Sequence, residues 1–396
     1  MSVSAAAGFE AAGVASGVKP GGAPDLALVA TADRGPVAAA GVFTTNRVAA
    51  APVQVSRAHL ADPHAAAVVL NAGNANAATG APGRADARRM CERTAAALGC
   101  RAEDVLVAST GLIGRPLPVA AVEAGIDAAA ARLADDAEAG HAAADAIRTT
   151  DTVPKEATAR VEAAGYRVGG MAKGAAMLAP ALATMLAVLT TDADASPDAL
   201  RQALRAGVRD TFDALIVDAC TSTNDTVLVL ANGRAGNPAI EPGGPAFAAF
   251  ADAVTEVCDA LARAMAADAE GATKLARVVV RGAATGDDAR RAARAVASSQ
   301  LVQCSLYGAD PYWGRVLSEL GASGAELDPE RVDIAYNGVT VCRDGVAAPH
   351  DEAAVAAALR GREVELACEL HAGGGEASVL FTDLTHAYVD ENMGTS

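Results

Sequence analysis

Short apolar runs separated by turns dominate the first part of the chain. Runs of this length, bounded by glycine, proline and small polar residues, predict β-strands. The predicted strands are residues 26–30, 38–44, 52–55, 67–70 and 105–108. Two alanine-rich stretches, residues 84–98 and 119–147, predict helices because alanine has a high helix propensity, and the acidic residues of the second stretch would form its solvated face.

The alternation of strands and helices continues in the second part of the chain. Helices are predicted at residues 196–206, 245–267 and 287–297, and strands at 215–217, 226–230 and 278–281. The last part differs, because short strands prevail there around a single helix. These strands are residues 332–336, 339–342, 364–370 and 377–380, and the helix is 352–359. The last part therefore predicts a small α+β domain.

One segment, residues 174–189, is apolar throughout and could be mistaken for a membrane span. A spanning helix needs roughly 18–20 apolar residues, and Pro180 would interrupt this shorter run. We interpret the segment as buried backbone of a globular protein that does not enter a membrane.

The length of 396 residues suggests about two or three domains.

Charge and cysteine content exclude several classes of protein. The formal net charge is −16, which argues against a nucleic-acid surface because phosphate contacts require Lys and Arg. The 7 cysteines form no CxxC pair, so their spacing indicates neither a zinc site nor a disulfide framework and favours reduced, mostly buried thiols. No histidine has metal or triad spacing, and we expect no metal. Residues 1–15 lack the pattern of a signal peptide, so we expect a cytoplasmic protein.

Thr184 lies inside the apolar segment, where a threonine alone would be a core residue with its hydroxyl bonded to nearby backbone. Its surroundings are more specific. They are GGMAKGAAMLAP from Gly169, LATML from Leu182 and TTDA from Thr190. This pattern closely resembles the self-cleavage region of the ornithine acetyltransferases. Ala181 and the pair Ala175-Ala176 depart from the family only mildly.

Further blocks that resemble the same family occur in its order along nearly the whole chain. They are GVFTTNR from Gly41, LNAGNANAATG from Leu70, STGLIG from Ser109, TTDT from Thr149, STNDT from Ser222, DAEGATK from Asp268 and DLT from Asp383. The chain is identified as a member of the ornithine acetyltransferase family. Gln303 stands where the family usually has Lys, and Tyr312 where it usually has Asn; if either position binds substrate, substrate choice would change.

The resemblance implies that Thr184 becomes a nucleophile by self-cleavage. Its hydroxyl would attack the carbonyl of Ala183, giving an N-to-O acyl shift and then hydrolysis of the ester. The freed α-amine has a reference pKa of roughly 7.7–8.0 and can take the hydroxyl proton. The family then passes acetyl from N-acetylornithine to the threonine and from the threonine to glutamate, a step of arginine biosynthesis.

The resemblance also assigns an oxyanion hole to Thr110 and Gly111. Each half-reaction passes through a tetrahedral oxyanion, which needs hydrogen-bond donors directed at it. By spacing alone, this pair would instead be a tight turn after the strand 105–108, with glycine permitting a positive φ.

The residues that would bind substrate, by resemblance, are Thr149 and Lys173 in the first fragment and Glu270 in the second, together with Thr184. A lone Lys or Glu is normally a solvated surface charge. Lys173, however, borders an apolar run, and Glu270 lies among small residues, so both placements suit the edge of a pocket.

The C-terminus would add two further contacts. Asn392 matches the family's asparagine, but the chain stops one residue short of the usual hydroxyl residue. Ser396 or Thr395 would take the place of that residue, and the sequence leaves the choice open.

The implied fold is α/β, an α+β layered sandwich shared by two self-cleaved fragments, with a small α+β C-terminal domain. The fragments would be residues 1–183 and 184–396; within the second, 184–285 would complete the catalytic core and 286–396 would form the small domain and the substrate-contacting tail. The resemblance implies an α₂β₂ heterotetramer with small-molecule substrates and no cofactor. Acetyl-CoA would be a substrate only if the protein also performs the first step of the pathway.

Two alternatives remain open from the sequence. One is an aminopeptidase or amidase of the related self-processing fold, in which the same nucleophile passes its acyl group to water. The other is an uncleaved, non-catalytic scaffold. The Ala183-Thr184 junction argues against the scaffold, and the substrate-binding blocks argue against the peptidase.

Overall fold

The computed structural model describes residues 2–177 and 185–393. The strands are β1 (Phe9–Val14), β2 (Leu26–Thr31), β3 (Val37–Phe43), β4 (His64–Ala65), β5 (Ala67–Asn74), β6 (Val105–Leu112), β7 (Lys155–Val161), β8 (Tyr166–Lys173), β9 (Leu186–Thr191), β10 (Leu215–Ile216), β11 (Thr226–Ala231), β12 (Leu275–Ala283), β13 (Asp333–Tyr336), β14 (Val339–Arg343), β15 (Val346–Ala347), β16 (Glu363–Glu369) and β17 (Gly375–Thr382). The helices are α1 (Ala51–His59), α2 (Gly80–Leu98), α3 (Val119–Ala130), α4 (Ala137–Ala146), α5 (Pro197–Asp210), α6 (Phe247–Ala267), α7 (Gly286–Ser298), α8 (Gln300–Tyr307), α9 (Trp313–Ala322), α10 (Glu352–Ala358) and α11 (His386–Asn392).

These elements form two compact units. Of the described residues, the first unit contains 2–174, 185–213 and 221–265, and the second contains 175–177, 214–220 and 266–393. The second unit begins before residue 286, the predicted start of the small domain, because β12 is hydrogen-bonded between β16 and β17. The predicted fragment boundary between residues 183 and 184 lies outside the described residues and stays a prediction.

Two sheets pack face to face in the first unit. Within the described residues their strand orders are β1-β2-β5-β6 and β4-β3-β11-β9-β8-β7. Successive side chains of a strand point to opposite faces, so Val29 of β2 packs in the inter-sheet core with Val188 of β9, whereas Leu28 packs in the cluster on the other face. Strands that are buried on both faces need continuous apolar runs, which is why these strands stand out in the sequence.

Helices cover the outer faces of both sheets. Met90 of α2 and Ile126 of α3 belong to the cluster on the outer face of the four-stranded sheet. On the six-stranded sheet, the ring of Phe250 in α6 meets that of Tyr166 in β8 edge-on, with 6.0 Å between centroids. The first unit is thus a helix–sheet–sheet–helix sandwich. The predicted mixed α/β class is confirmed; that two cleaved fragments share the sandwich stays a prediction.

The second unit is organised around a mixed sheet. Within the described part of the chain its strand order is β10-β17-β12-β16-β13-β14-β15. The helix α7 contributes Ala293 and Val296 to a core that also contains Val278 of β12 and Phe381 of β17. The short strands and the helix predicted beyond residue 325 occur here as β13, β14, β16, β17 and α10.

Two predicted elements were wrong. The predicted strand 52–55 lies in α1, where Pro52 occupies the first turn; a helix tolerates proline there because the first N–H groups have no partner within the helix. The predicted single helix 119–147 is two helices, because the chain breaks after α3 and Asp136 caps α4 by accepting the Ala139 N–H at 2.8 Å. Among the described residues, no helix is both long enough and apolar enough to cross a membrane.

Candidate active site

The end of β6 holds the two residues predicted for the oxyanion hole. Thr110 is buried, and the φ of Gly111, 129°, lies in the region that favours glycine. A Cβ at position 111 would lie 2.3 Å from the carbonyl carbon of Gly73 in β5, where the register of the two strands shifts. The pair therefore belongs to an irregular strand end rather than to a tight turn, and only glycine fits at 111.

The peptide group before Thr110 is held by hydrogen bonds. The side-chain amide of Asn224 donates to the carbonyl oxygens of Ser109 at 2.8 Å and Ala75 at 2.7 Å. The Ser109 hydroxyl donates to Asn71 Oδ1 at 2.6 Å. Because the peptide group is planar, fixing the Ser109 carbonyl also fixes the direction of the Thr110 N–H.

Lys173 is the last residue of β8, and its side chain is buried. Its Nζ donates to Thr149 Oγ1 at 2.6 Å and to Thr110 Oγ1 at 3.4 Å. The structure thus brings together three predicted site residues that are far apart in sequence. A buried ammonium group beside two hydroxyls suits the binding of an anion such as a carboxylate.

Asp151, a carboxylate to which the sequence analysis gave no role, lies beside Lys173. Its Oδ1 accepts from Lys155 Nζ at 2.6 Å, and its Oδ2 lies 3.9 Å from Lys173 Nζ. Burial alone would raise the pKa of Asp151, but the two ammonium groups hold that pKa well below its ordinary value. Asp151 is therefore a permanent anion between two cations.

The same carboxylate also fixes the backbone on both sides of this cluster. Asp151 Oδ1 accepts the Gly174 N–H at 2.7 Å, and Oδ2 accepts the Thr149 N–H at 3.1 Å. Sequence reasoning missed this role, although Asp151 lies in the TTDT block. Lys155 gave no signal, because a lone lysine normally predicts a solvated charge.

Asp225 is another buried carboxyl of the first unit. Its Oδ1 accepts the Met185 N–H at 3.1 Å. Burial raises the pKa of Asp225 well above its ordinary value. Thr184 and Ala183 lie outside the described residues, so the cleavage and nucleophile predictions stay predictions.

In the second unit, the predicted residues Glu270 and Asn392 are in direct contact. The Asn392 amide donates to Glu270 Oε2 at 2.7 Å, and the Glu270 N–H donates to the Ala175 carbonyl at 2.9 Å. Ser396 and its alternative Thr395 lie outside the described residues.

Asp218 and Tyr388, which sequence reasoning missed, form a second polar contact in the same unit. Asp218 Oδ2 accepts from the Tyr388 hydroxyl at 3.1 Å and from the Met177 N–H at 2.5 Å. Burial and then the Asp218 charge raise the pKa of Tyr388, so its phenol stays a hydrogen-bond donor. Nothing in the sequence motifs indicated this pair.

The two positions that depart from the family have different environments. Gln303 is buried, and its amide donates to the Val217 carbonyl at 2.8 Å, which is a structural contact. Tyr312 is exposed, with the Arg315 guanidinium 5.6 Å from the centre of its ring. Across residues 2–177 and 185–393, no group of three or more His, Cys, Asp or Glu side chains could hold a metal ion.

In this mixed α/β fold, the buried donors at Lys173 suit the site of an enzyme that acts on an anionic substrate. The sequence model of the ArgJ family matches residues 10–394. The chain belongs to the ArgJ family, so the predicted family is confirmed. The arginine biosynthesis bifunctional protein ArgJ of Thermobifida fusca is 51% identical over 100% of both chains. Its counterpart in Symbiobacterium thermophilum is 52% identical over 98% of this chain and 97% of its own.

Two solved structures are also similar to this chain. The arginine biosynthesis bifunctional protein argJ of Bacillus halodurans is 38% identical with a TM-score of 0.50, over 52% of this chain and 96% of that chain. The ornithine acetyltransferase of Mycobacterium tuberculosis, complexed with ornithine, is 48% identical with a TM-score of 0.44, over 45% of this chain and 94% of that chain.

Proposed function

We propose that the protein transfers an acetyl group from N2-acetylornithine to glutamate in arginine biosynthesis, giving ornithine and N-acetylglutamate. The observation that carries this proposal is a pair of hydrogen bonds from Lys173 Nζ, to Thr149 Oγ1 at 2.6 Å and to Thr110 Oγ1 at 3.4 Å. The names of relatives that match along the whole chain support it.

Each residue of the cluster has a role in this reaction. Both substrates carry an α-carboxylate, and the Lys173 ammonium with the Thr149 hydroxyl provides its partners. Thr110 and Gly111 donate to the oxyanion that develops on the acetyl carbonyl. Because Asn224 and Asp151 hold these groups in advance, little reorganisation is needed when charge develops.

Glu270, Asn392 and Ser396 complete the proposed substrate contacts. The Glu270 carboxylate would accept from the substrate amine, and its hydrogen bond to the Asn392 amide supports the placement of that carboxylate. Ser396 would supply the last hydroxyl, with Thr395 as the alternative.

The acetyl group would be carried by Thr184 after self-cleavage of the Ala183–Thr184 bond. The covalent step needs a base beside the hydroxyl, and the freed α-amine of Thr184 would be that base. The solved Bacillus halodurans chain supports this division. The match covers 96% of that chain but only 52% of this one, which makes the Bacillus halodurans chain about half as long. The fragments 1–183 and 184–396 would assemble as an α₂β₂ heterotetramer in the cytoplasm.

Incubation of the purified protein with N2-acetylornithine and glutamate tests the proposed transfer. We expect ornithine and N-acetylglutamate in equal amounts, without a cofactor. Free acetate in place of N-acetylglutamate would contradict transfer and favour the amidase alternative. A parallel incubation with acetyl-CoA and glutamate decides whether the protein also acetylates glutamate directly.

A further inference from the structure

A cavity of about 410 Å³ lies in the first unit, along β3 of the six-stranded sheet. Three arginines line this β3-edge cavity, Arg57 of α1 and Arg201 and Arg205 of α5. Among the described residues, no Asp or Glu lines it, and neither does any member of the Lys173 cluster. Its volume falls within the range of roughly 300–1,000 Å³ that is usual for small-molecule sites.

The backbone of β3 has hydrogen-bonding groups that point to the edge of the sheet at this cavity. The Ala39 N–H donates to the Pro63 carbonyl at 2.8 Å, on the side away from β11. The direction of hydrogen bonding alternates along a strand, so the N–H groups of Gly41 and Phe43 point the same way. β4 pairs with β3 no further than Ala38. Within the described part of the chain, no strand therefore takes these two donors.

Gly41 and Arg57 shape one end of the cavity. A Cβ at Gly41 would lie 2.8 Å from Leu60 Cδ1 and from Phe43 Cζ, so glycine leaves space between β3 and the end of α1. Arg57 Nη2 donates to the Thr44 carbonyl at 3.1 Å, and its Cζ lies 5.4 Å from the centre of the Phe43 ring. A guanidinium has five N–H donors, so Arg57 is positioned and still has donors for a ligand.

The charges at the cavity are not balanced by the protein. Arg201 and Arg205 lie one turn apart on α5, which packs against β3. Arg201 forms an exposed ion pair with Asp198 at 2.9 Å, whereas Arg57 and Arg205 form no ion pair with any described residue. Asp198 thus balances one of the three positive charges, in a chain whose formal net charge is −16. A ligand with two negative charges would balance the others.

We propose that the β3-edge cavity binds a small dianion, either a phosphate ester or a dicarboxylate. Guanidinium groups bind the oxygens of phosphate and carboxylate through paired N–H donors. The N–H groups of Gly41 and Phe43 add neutral donors to the same oxygens. The cavity is thus a second ligand site, which goes beyond the proposed acetyl transfer and does not depend on it.

Calorimetric titration of the purified protein with inorganic phosphate and, separately, with succinate tests this inference. Both probes carry two negative charges in mildly alkaline buffer, and ionic strength is held constant because salt screens exposed charges. Arg57→Gln and Arg205→Gln each remove one positive charge and keep an amide donor. Arg209→Gln is the matched control, because Arg209 is also an exposed residue of α5, pairs with Asp210 and does not line the cavity.

We expect at least one probe to bind wild type and Arg209→Gln equally well, and to bind Arg57→Gln and Arg205→Gln about tenfold more weakly. The loss of a charged hydrogen bond has this magnitude. Tighter binding of phosphate would assign the phosphate-ester class, and tighter binding of succinate the dicarboxylate class.

Binding of neither probe, or equal binding by Arg205→Gln and wild type, would overturn the inference. The second outcome would place the anion elsewhere, for instance at Lys173. Because the Arg205 side chain is exposed and has no ion pair within the described residues, Arg205→Gln should keep the melting temperature of wild type without a probe. If Arg57→Gln does not fold, Arg205→Gln decides the test alone.

Discussion

The Lys155 ammonium lies 2.6 Å from Asp151 Oδ1, and both side chains are almost completely closed to solvent. Asp151 in turn binds the backbone N–H groups of Thr149 and Gly174 and lies 3.9 Å from Lys173 Nζ. Lys155 therefore acts on the candidate substrate site through Asp151 and is a positioning residue. Buried ions are costly to desolvate, so this arrangement depends on the balance of its charges.

Removing Asp151 should cost more stability than removing Lys155. Asp151→Asn leaves two buried ammonium groups without their shared carboxylate, whereas Lys155→Met leaves Asp151 paired with Lys173. We expect Asp151→Asn to lower the free energy of unfolding by about 3–5 kcal/mol, and Lys155→Met by less. Denaturant unfolding measures both, in a Thr184→Ala background that keeps the chain in one piece. An equal or larger loss in Lys155→Met would contradict this charge balance.

Kinetics should separate the oxyanion residue from the carboxylate-binding residue. Thr110→Ala should lower kcat by about 10²–10³-fold with little change in KM, because it acts on charge that develops in the transition state. Lys173→Ala should chiefly raise the KM for both substrates. Thr255→Ala is the control, since that hydroxyl donates to Ala251 of its own helix at 2.8 Å. A change in KM alone for Thr110→Ala would refute the oxyanion role.

Gly111 should tolerate no side chain. Gly111→Ala would combine a positive φ with a Cβ 2.3 Å from the Gly73 carbonyl carbon, so β5 and β6 must separate. Gly114→Ala is the matched control, because Gly114 has a φ of 80° and open space around its Cβ position. We expect the control to lose about 1 kcal/mol and keep its activity, and Gly111→Ala to lose more and be inactive. Equal losses measured by thermal unfolding would show that the close approach to Gly73 is unimportant.

Asp225 should make the free energy of unfolding fall as pH rises. Its pKa is raised by folding, so its contribution is fully present below the unfolded pKa of about 3.9 and is lost as pH rises through the folded pKa. In a Thr184→Ala background, Asp225→Asn should therefore gain stability relative to its parent as pH rises from acid to neutral. Melting temperatures across that range measure the difference; a constant difference would indicate an unshifted carboxyl.

Elements buried on two faces could be predicted from the sequence, and those shaped by close contacts could not. β2, β5 and β6 have continuous apolar runs because both faces are covered. β8 was missed because its glycines weaken the strand pattern. Those glycines are required by packing: a Cβ at Gly169 would lie 2.3 Å from the Ser2 carbonyl oxygen, and one at Gly170 would lie 2.9 Å from Val257.

In the candidate site, too, the residues in sequence motifs could be predicted, whereas those that act through tertiary contacts could not. Motif resemblance predicted Thr110, Gly111, Thr149 and Lys173, and in the structure the Lys173 ammonium donates to both threonine hydroxyls. Lys155 could not be found in this way, because only the tertiary fold shows that its charge is buried against a carboxylate. The roles of Asp225 and Asn224 likewise depend on hydrogen bonds to residues distant in sequence, although both lie in the STNDT block.

The proposed transfer requires that the acetyl group passes through a covalent intermediate on Thr184. Mass spectrometry of the protein mixed with N2-acetylornithine alone, without glutamate, tests this most directly. We predict a fragment of 183 residues and a second fragment made of the other 213 of the 396 residues. One acetyl group should be added, and only to the fragment that begins at Thr184. Later addition of glutamate should remove that acetyl group and yield N-acetylglutamate. A fragment that stays unlabelled while the complete mixture turns over would contradict the account and favour direct transfer between the two bound substrates.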